Sequence, residues 1–326
     1  MSNEAIGRLV KIGLWKESTP WTGVTPTVWI PLTAAPNITQ RVTKYEDESG
    51  IGRIETLCDK FVVKKMSETT MTWLARATSF WHVLLGTFGT VTSPSLVETG
   101  VYKHDFSVKN DNAHPSYTLV TENEVWQEES TYNLFNSLEV VAEVENPIIF
   151  TASTMGKAPW STSGETVSYT KEEPFKVSWM VIKFADDITG LAWASETKVK
   201  SFNFSIEKNV IDITENGSLE PTSFHNQNIT VTWDMELVYR DNTFQGYDLN
   251  GTTKAADMTI TGTTLIGATE YNKLNFQFAQ ITFDEWERSD DNNGIVTQTM
   301  WFTATFSISD TSMITASLTN NQSGQY

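Results

Sequence analysis

The residues best suited to chemistry in this sequence are its four histidines, His82, His104, His114 and His225. None has another histidine or a cysteine at a metal-ligand spacing, so the sequence predicts no structural zinc site. His104-Asp105 matches part of a catalytic triad, but no Gly-x-Ser-x-Gly elbow or comparable nucleophile motif accompanies it. We therefore expect no catalytic constellation and no cofactor.

A run of acidic and amide residues, Asp290-Asp-Asn-Asn-Gly294, is similar to the start of a calcium-binding loop. Such a loop requires an acidic residue at its twelfth position, where this chain has Trp301. The segment is instead interpreted as a hairpin turn, in which Asn293 and Gly294 adopt left-handed conformations. Glycine-rich phosphate-binding loops are also missing from the sequence, so no metal or phosphate site is predicted.

Charge limits the class of partner. The chain of 326 residues carries 40 acidic and 23 basic side chains, a formal net charge of -17. A negative surface repels nucleic acid, which argues against a DNA-binding module but not against a surface along which DNA slides. Adaptation to a saline habitat is the alternative explanation of the acidity.

Targeting signals are not found. The N-terminus lacks a basic region followed by an apolar one, so we expect no signal peptide. No apolar run approaches the roughly 18 residues of a membrane helix. Cys58 is the one cysteine, which excludes an internal disulfide and fits folding in a reducing cytoplasm.

The composition predicts a mainly β protein. Aromatic residues are abundant, with 12 Trp, 17 Phe and 9 Tyr. The segment Ser79–Gly86 is the best helix candidate, with Trp81 and Leu84 on one face, and Gly86 or Gly89 is expected to end it in the left-handed conformation. The length is enough for one large domain or two medium ones.

Three regions are predicted along the chain. Residues 1–36 contain four spaced prolines, which favours an extended arm or sheet edge over core sheet. Residues 37–158 form a first domain. The stretch Met155–Gly164 is rich in small and helix-breaking residues and marks a boundary, after which residues 165–326 form a second domain.

Several segments alternate strictly between apolar and polar residues, which is typical of strands with one buried and one solvated face. These segments are 138–145, 199–207, 229–237, 274–278 and 302–308. Carboxylates recur on their solvated faces, at Glu139, Glu143, Glu145, Glu207, Asp234 and Glu236. They are either scattered solubilising groups or parts of one acidic surface made by several strands.

One short sequence pattern occurs twice in the chain. Ser137–Glu143 and Ser201–Glu207 share the pattern Ser-apolar-x-apolar-x-apolar-Glu, and both are predicted to introduce a hairpin. Any amphipathic strand could produce a match of this length.

The order of several segments resembles the tail tube proteins of siphoviruses, the long-tailed bacteriophages, over residues 37 to 316. In the first half these are Leu84-Leu-Gly-Thr-Phe-Gly89, Tyr102-Lys-His-Asp-Phe106, Pro115-Ser-Tyr-Thr-Leu119, Asn136-Ser-Leu-Glu-Val-Val-Ala-Glu-Val-Glu145 and Phe150-Thr-Ala-Ser-Thr-Met-Gly-Lys157. In the second half, Val199–Asn209 together with Ile229–Tyr239 resembles the same family.

The resemblance implies two tail-tube-type β-sandwich or barrel domains with a short flanking helix, whose inner strands join a β-barrel shared between subunits. It implies four inner strands from each domain and six domains in a ring, and hence a trimer with pseudo-sixfold symmetry. A hexamer of one elaborated domain is the alternative. The chain would be a structural subunit of the virion tail, made in the host cytoplasm, with no membrane association.

The same resemblance implies partners. Rings would stack around a tape measure protein and meet tail terminator and baseplate proteins. Genomic DNA would later pass through without specific binding. The six carboxylates named above are then expected to line the channel.

Two other classes remain open on sequence grounds. Exposed tryptophans stack on sugar rings, so a carbohydrate-binding β-sandwich of a virion or cell-surface adhesin is an alternative. A hydrolase on a β scaffold is the third, although no nucleophile and base can be named for it.

Overall fold

The computed structural model describes residues 6–49, 52–54, 59–289 and 294–324. The lone Cys58 and residues 290–293 of the predicted turn lie outside this part of the chain. The described residues are mainly strand, which confirms the predicted fold class. No helix within the described ranges has the length and apolar character needed to cross a membrane.

The described residues form twenty-one strands and two α-helices. The first half contains β1 (Lys11–Lys16), β2 (Val28–Ile30), β3 (Asn37–Asp47), β4 (Asp59–Leu74), α1 (Trp81–Phe88), β5 (Gly89–Val91), β6 (Ser95–Glu98), β7 (Val101–Val108), β8 (Tyr117–Glu122), β9 (Gln127–Glu143), β10 (Ile149–Gly156) and β11 (Trp160–Ser161). The second half contains β12 (Met180–Ala185), β13 (Glu196–Thr197), β14 (Ser201–Glu207), β15 (Ile211–Ile213), β16 (Ser223–His225), β17 (Thr230–Val238), α2 (Thr243–Leu249), β18 (Lys254–Leu265), β19 (Tyr271–Arg288), β20 (Thr297–Thr305) and β21 (Ile314–Asn320). Short 3-10 helices span Gly7–Leu9, Val177–Trp179 and Gly190–Ala192.

The main sheet is antiparallel and runs through both halves in the order β3, β4, β10, β9, β14, β17, β20 and β19. Its middle joint is the pairing of β9 with β14, in which Val140 lies opposite Phe204. The pairing of β9 with β14 thus makes one continuous sheet of the two halves. The division of the chain into two domains at 155–164 stays a prediction.

A second layer covers the apolar face of the main sheet. It contains β12, β18, the first part of β19, β21 and β7. Rings from the two layers meet in the core, where Phe204 lies 4.8 Å from Phe276 and Trp233 lies 4.3 Å from Phe278 between ring centroids. Burial of these aromatic side chains removes a large apolar area from water and holds the layers together.

The N-terminal region is not simply an arm. Within residues 1–36, predicted as an extended arm or sheet edge, β1 pairs with β8 and buries Ile12 and Leu14. Glu17, just after β1, is also buried, and its carboxylate accepts hydrogen bonds from Ser116 Oγ at 2.7 Å and from the Tyr132 backbone N–H at 2.8 Å. Because the prolines lie beyond β1, they do not interrupt its ladder.

The predicted helix is confirmed as α1, shifted two residues towards the C-terminus. All of its residues are buried, and Gly89 ends it with φ of +88°, as expected of a glycine cap. Its last carbonyls need partners, because no further helical N–H reaches them. The Lys208 ammonium supplies one, donating to the Gly86 carbonyl oxygen at 2.8 Å.

Lys208 is fully buried, and this burial lowers its pKa from 10.5 to about 7. The unfolded chain therefore binds more protons than the folded chain between these two pH values. By linkage, the stabilising free energy of folding contributed at this site rises with pH across that window. A buried amine that is partly charged at neutral pH is costly to fold.

We expect Lys208→Met to stabilise the protein at pH 7 by about 1–3 kcal/mol, because removing the buried charge outweighs one lost hydrogen bond. The advantage should shrink at pH 10, because neutralising the wild-type lysine on folding costs little free energy there. Urea unfolding at both pH values measures this, with exposed Lys198→Met as the control. A Lys208→Met variant that is equally destabilised at both pH values would contradict the argument.

Candidate channel-lining surface

The main sheet has one face on the core and one face turned away from it, here called the outer face. Directly paired residues of antiparallel strands lie on the same face. One unbroken row of paired residues crosses the outer face: Thr33, Thr72, Thr151, Glu139, Ser205, Thr232, Thr303 and Thr282. Thr33 joins this row just before β3, through its N–H bond to the Thr72 carbonyl at 2.9 Å.

The neighbouring row faces the core and is mostly aromatic. Its members are Leu32, Trp73, Phe150, Val140, Phe204, Trp233, Phe302 and Phe283. Trp73 and Trp233 are both buried, and each has a phenylalanine as its direct cross-strand neighbour. The pair of Trp73 with Phe150 in the first half thus matches the pair of Trp233 with Phe302 in the second, where Trp233 has Phe204 as its other neighbour.

These rows reveal an internal repeat of four strands. In each half a hairpin is followed by a helix, and a long strand with its returning strand then pairs back onto the hairpin. Trp73 corresponds to Trp233, Phe150 to Phe302 and Val140 to Phe283. The sequence pattern shared by Ser137–Glu143 and Ser201–Glu207 is not this repeat, because these two segments pair directly with each other.

Five of the six predicted carboxylates lie on the outer face. Glu139 and Glu143 are exposed on β9, and Glu207 is exposed at the end of β14. Asp234 and Glu236 are half-buried on β17, in register with Asn203 and Ser201 of β14. The structure thus brings these five side chains onto one surface.

Glu145 is placed differently. It lies in the turn after β9 with φ of +73°, so its side chain is not part of the strand alternation. The sequence pattern continued to residue 145 because Val144 is apolar, but β9 ends at Glu143 and Val144 is half-exposed.

The five outer-face carboxylates differ in their surroundings. The Lys200 ammonium lies 2.7 Å from the Glu236 carboxylate, and its hydrogen bond lowers the pKa of Glu236. Burial raises the pKa of Asp234, although the Asn203 amide donates to its carboxylate at 2.9 Å. Within the described residues no ion pair involves Glu139, Glu143 or Glu207, although the Asn146 amide donates a hydrogen bond to Glu143 at 3.3 Å.

Three further carboxylates on this surface were missed in the sequence. Asp284, Glu285 and Glu287 are exposed on the last part of β19, where Glu285 pairs with Trp301 and Glu287 with Thr299. The sequence prediction ended this strand at Phe278. The alternation breaks first at Phe278 and Ala279, which are both buried, and again at a bulge between Phe283 and Glu285.

A second prediction about this end of the sheet is wrong. The alternation at 302–308 placed Phe306 and Ile308 on a buried face, but β20 ends at Thr305 and these side chains are 56% and 86% exposed. Beyond Thr305 the chain turns back, with Ser307 bridged to Ser312.

The profile of the phage tail tube protein family matches residues 7–319, nearly the whole chain. The chain belongs to this family. A search of curated proteins finds no match. The family match is independent of the rows and the repeat described above.

As a phage tail tube protein, the chain is a structural component of the virion tail and not an enzyme. It acts as a tube subunit in a stacked assembly with other tail proteins. The carbohydrate-binding alternative has no support in this match. The outer face of the main sheet is the surface whose role in the tube has to be explained.

Proposed function

We propose that three copies of this tail tube protein close a ring whose channel is lined by the outer face of the main sheet. The observation that carries this proposal is the in-chain joint between the two repeats, β9 with β14. Each repeat supplies four strands, so each copy brings eight. The joint between copies then repeats the joint within the copy.

The two ends of the main sheet have free edges. Within the described residues, 282–288 of β19 pair with β20 alone, and β3 pairs with β4 alone. Exposed edges of this kind pair readily with another chain. Closing the sheet into a ring removes both edges.

The repeat also gives a register. Val140 opposite Phe204 in the chain corresponds to Phe283 of one copy opposite Leu32 of the next. On the outer face, Glu139 opposite Ser205 corresponds to Thr282 opposite Thr33 of the next copy. The row of eight residues would then continue around the whole ring.

The dimensions suit duplex DNA. Three copies supply 24 strands, which at about 4.8 Å spacing and a tilt of about 40° form a barrel roughly 45–50 Å across the backbone. Side chains on the inner wall narrow this diameter, and the remaining bore still admits a DNA duplex.

The acidic outer face gives the channel its function. Glu139, Glu143, Glu207, Asp234 and Glu236 would repel phosphates, so DNA moves past without being held. Glu145 would lie at a rim. Before DNA enters, the tape measure protein would occupy the channel, and terminator and baseplate proteins would close the stack of rings, as in long-tailed phages.

Electron microscopy of the concentrated protein tests the proposal. We expect rings or tubes with an open bore and threefold symmetry, and sixfold strand repetition at the inner wall. Tube subunits can remain monomeric until an initiator complex is supplied. Samples are therefore compared at low and high salt and with the baseplate complex added. Dispersed monomers under all of these conditions, or rings of six chains, would overturn it.

A further inference from the structure

Three apolar side chains of the first repeat lie next to one another on the outer face. Ile149 of β10 is paired directly with Leu74 of β4 and with Val141 of β9. All three are half-buried, whereas the residues on either side of each in its strand are buried. Within the described ranges the three side chains belong to neither apolar cluster of the core. We call Leu74, Val141 and Ile149 the apolar patch.

The second repeat has different chemistry at the same level of the sheet. By the correspondence of the two repeats, the counterpart of Ile149 is Trp301. Trp301 is paired with Asp234 on one side and with Glu285 on the other, so two carboxylates flank it. Because the repeats alternate around the proposed ring, three apolar patches would alternate with three acidic positions. A channel with sixfold strand repetition would therefore have threefold chemistry.

Carboxylates border the apolar patch along β9. The outer-face residues of this strand include Glu139, Val141 and Glu143, and both glutamates are exposed. Such a surface complements a partner that has an apolar stripe bordered by basic side chains. Duplex DNA presents phosphates along its whole exterior, so it gains nothing from the patch and is repelled by the glutamates. The patch is therefore suited to a protein in the channel and not to DNA.

The channel limits the shape of this protein. In the proposed ring the strands of the wall are paired with one another, so a chain inside finds no open strand edge and pairs its backbone groups within itself, as an α-helix does. An amphipathic helix also presents its apolar side chains as one stripe. Three helices of about 10–12 Å diameter form a bundle about 22–26 Å across, which fits within a barrel of roughly 45–50 Å.

We infer that the apolar patch is the place where the tape measure protein contacts the channel wall, through a helix whose apolar stripe is bordered by basic side chains. Each ring would hold three such helices, one at each patch. This inference rests on the proposed ring and assigns the contact to one repeat of each copy. Because the patch is small, each contact is weak, and the tape measure protein can leave before DNA passes.

Photo-crosslinking in complete tails tests the contact. Benzoylphenylalanine replaces Ile149 in one sample and its counterpart Trp301 in another. The two positions lie at the same level of the sheet and differ in their surroundings, so we expect the probe at 149 to link to the tape measure protein with a yield about threefold or more above the probe at 301. The linked residues of the tape measure protein should recur every three or four positions. Equal yields at the two positions, or no link from 149, would overturn the contact.

Polar substitution measures what the apolar patch contributes. Combining Leu74→Thr, Val141→Thr and Ile149→Thr retains a residue that favours strands and removes the apolar contact. The fraction of purified tails that contain the full-length tape measure protein should fall about threefold or more. DNA ejection from the virions that form should be unchanged, because DNA does not use the patch.

The matched control is Trp301→Thr, which removes an apolar side chain at the counterpart position and should leave the content of tape measure protein unchanged. Monomer melting temperatures show whether each variant folds, and Ile149→Thr alone replaces the triple variant if that one does not. A folded variant of the patch that retains the wild-type amount of tape measure protein would contradict the inference.

The outcomes separate the contact from the ring. Ring closure is tested by a disulfide between Thr33→Cys of one copy and Thr282→Cys of the next. If this disulfide forms while the probe at 149 links no better than the probe at 301, the contact is overturned and the ring stands. If the disulfide does not form and neither probe reaches the tape measure protein, the outer face does not line the channel and the ring proposal itself is overturned.

Discussion

Protein carrying Thr33→Cys and Thr282→Cys in a Cys58→Ser background is expected to form covalent trimers once it has assembled and been oxidised. The repeat places residue 282 of one copy opposite residue 33 of the next. Directly paired residues of antiparallel strands have Cβ atoms about 4.5–5.5 Å apart, close enough for a disulfide after small adjustments. Non-reducing electrophoresis should show a closed species of three chains.

The chain provides a matched control for this experiment. Glu139→Cys with Ser205→Cys makes the equivalent pair inside one copy, so it should form a disulfide without any increase in mass. Each single cysteine variant should stay uncrosslinked. A covalent species of six chains would support the hexameric alternative, whereas monomers that crosslink internally in the control but never between copies would refute the strand joint.

Local sequence patterns predicted much of the fold. Strict alternation located β9, β14 and β17 and put Glu139, Glu207 and Asp234 on the face opposite their apolar neighbours. Period two determines which face a residue occupies, because successive side chains point to opposite sides. It says nothing about which strand lies alongside.

Strand partners are the part that local pattern could not supply. The pairing of β9 with β14 links residues 58 to 70 positions apart, and the choice of partner depends on packing of Val140 and Phe204 in the common core. The repeat was invisible for the same reason. Its recurring elements are cross-strand pairs such as Trp73 with Phe150, which are scattered in sequence and adjacent only after folding.

The errors of prediction have particular physical causes. The end of β19 was missed because the alternation breaks at the two buried residues Phe278 and Ala279. The strand at 302–308 was extended past Thr305 because Phe306 and Ile308 are apolar. Both residues are exposed in the single chain. An apolar residue that breaks the burial pattern is therefore a useful signal of assembly in a protein that functions only as one of many copies.

Lysine at three exposed outer-face positions, through Glu139→Lys, Glu143→Lys and Glu207→Lys, is expected to turn a passive channel into one that retains DNA. Nine new cations would face the bore of each trimeric ring, and stacked rings repeat them along the duplex. Each phosphate contact contributes a slope of about -0.9 to the dependence of log affinity on log salt. The affinity of purified variant tubes for duplex DNA should therefore rise steeply as the salt concentration falls. Virions carrying the variant should eject their DNA slowly or stall.

The matched control is Glu124→Lys, Glu215→Lys and Asp248→Lys, which changes net charge equally but alters two loops and α2 outside the outer face. Asp234 and Glu236 are left unchanged, because Asp234 is partly buried and Glu236 is paired with Lys200. Assembly of both variants is verified first by microscopy. If control tubes retain DNA as strongly as the outer-face variant, net charge alone explains the effect; if outer-face tubes eject at the wild-type rate, these three side chains do not face the channel.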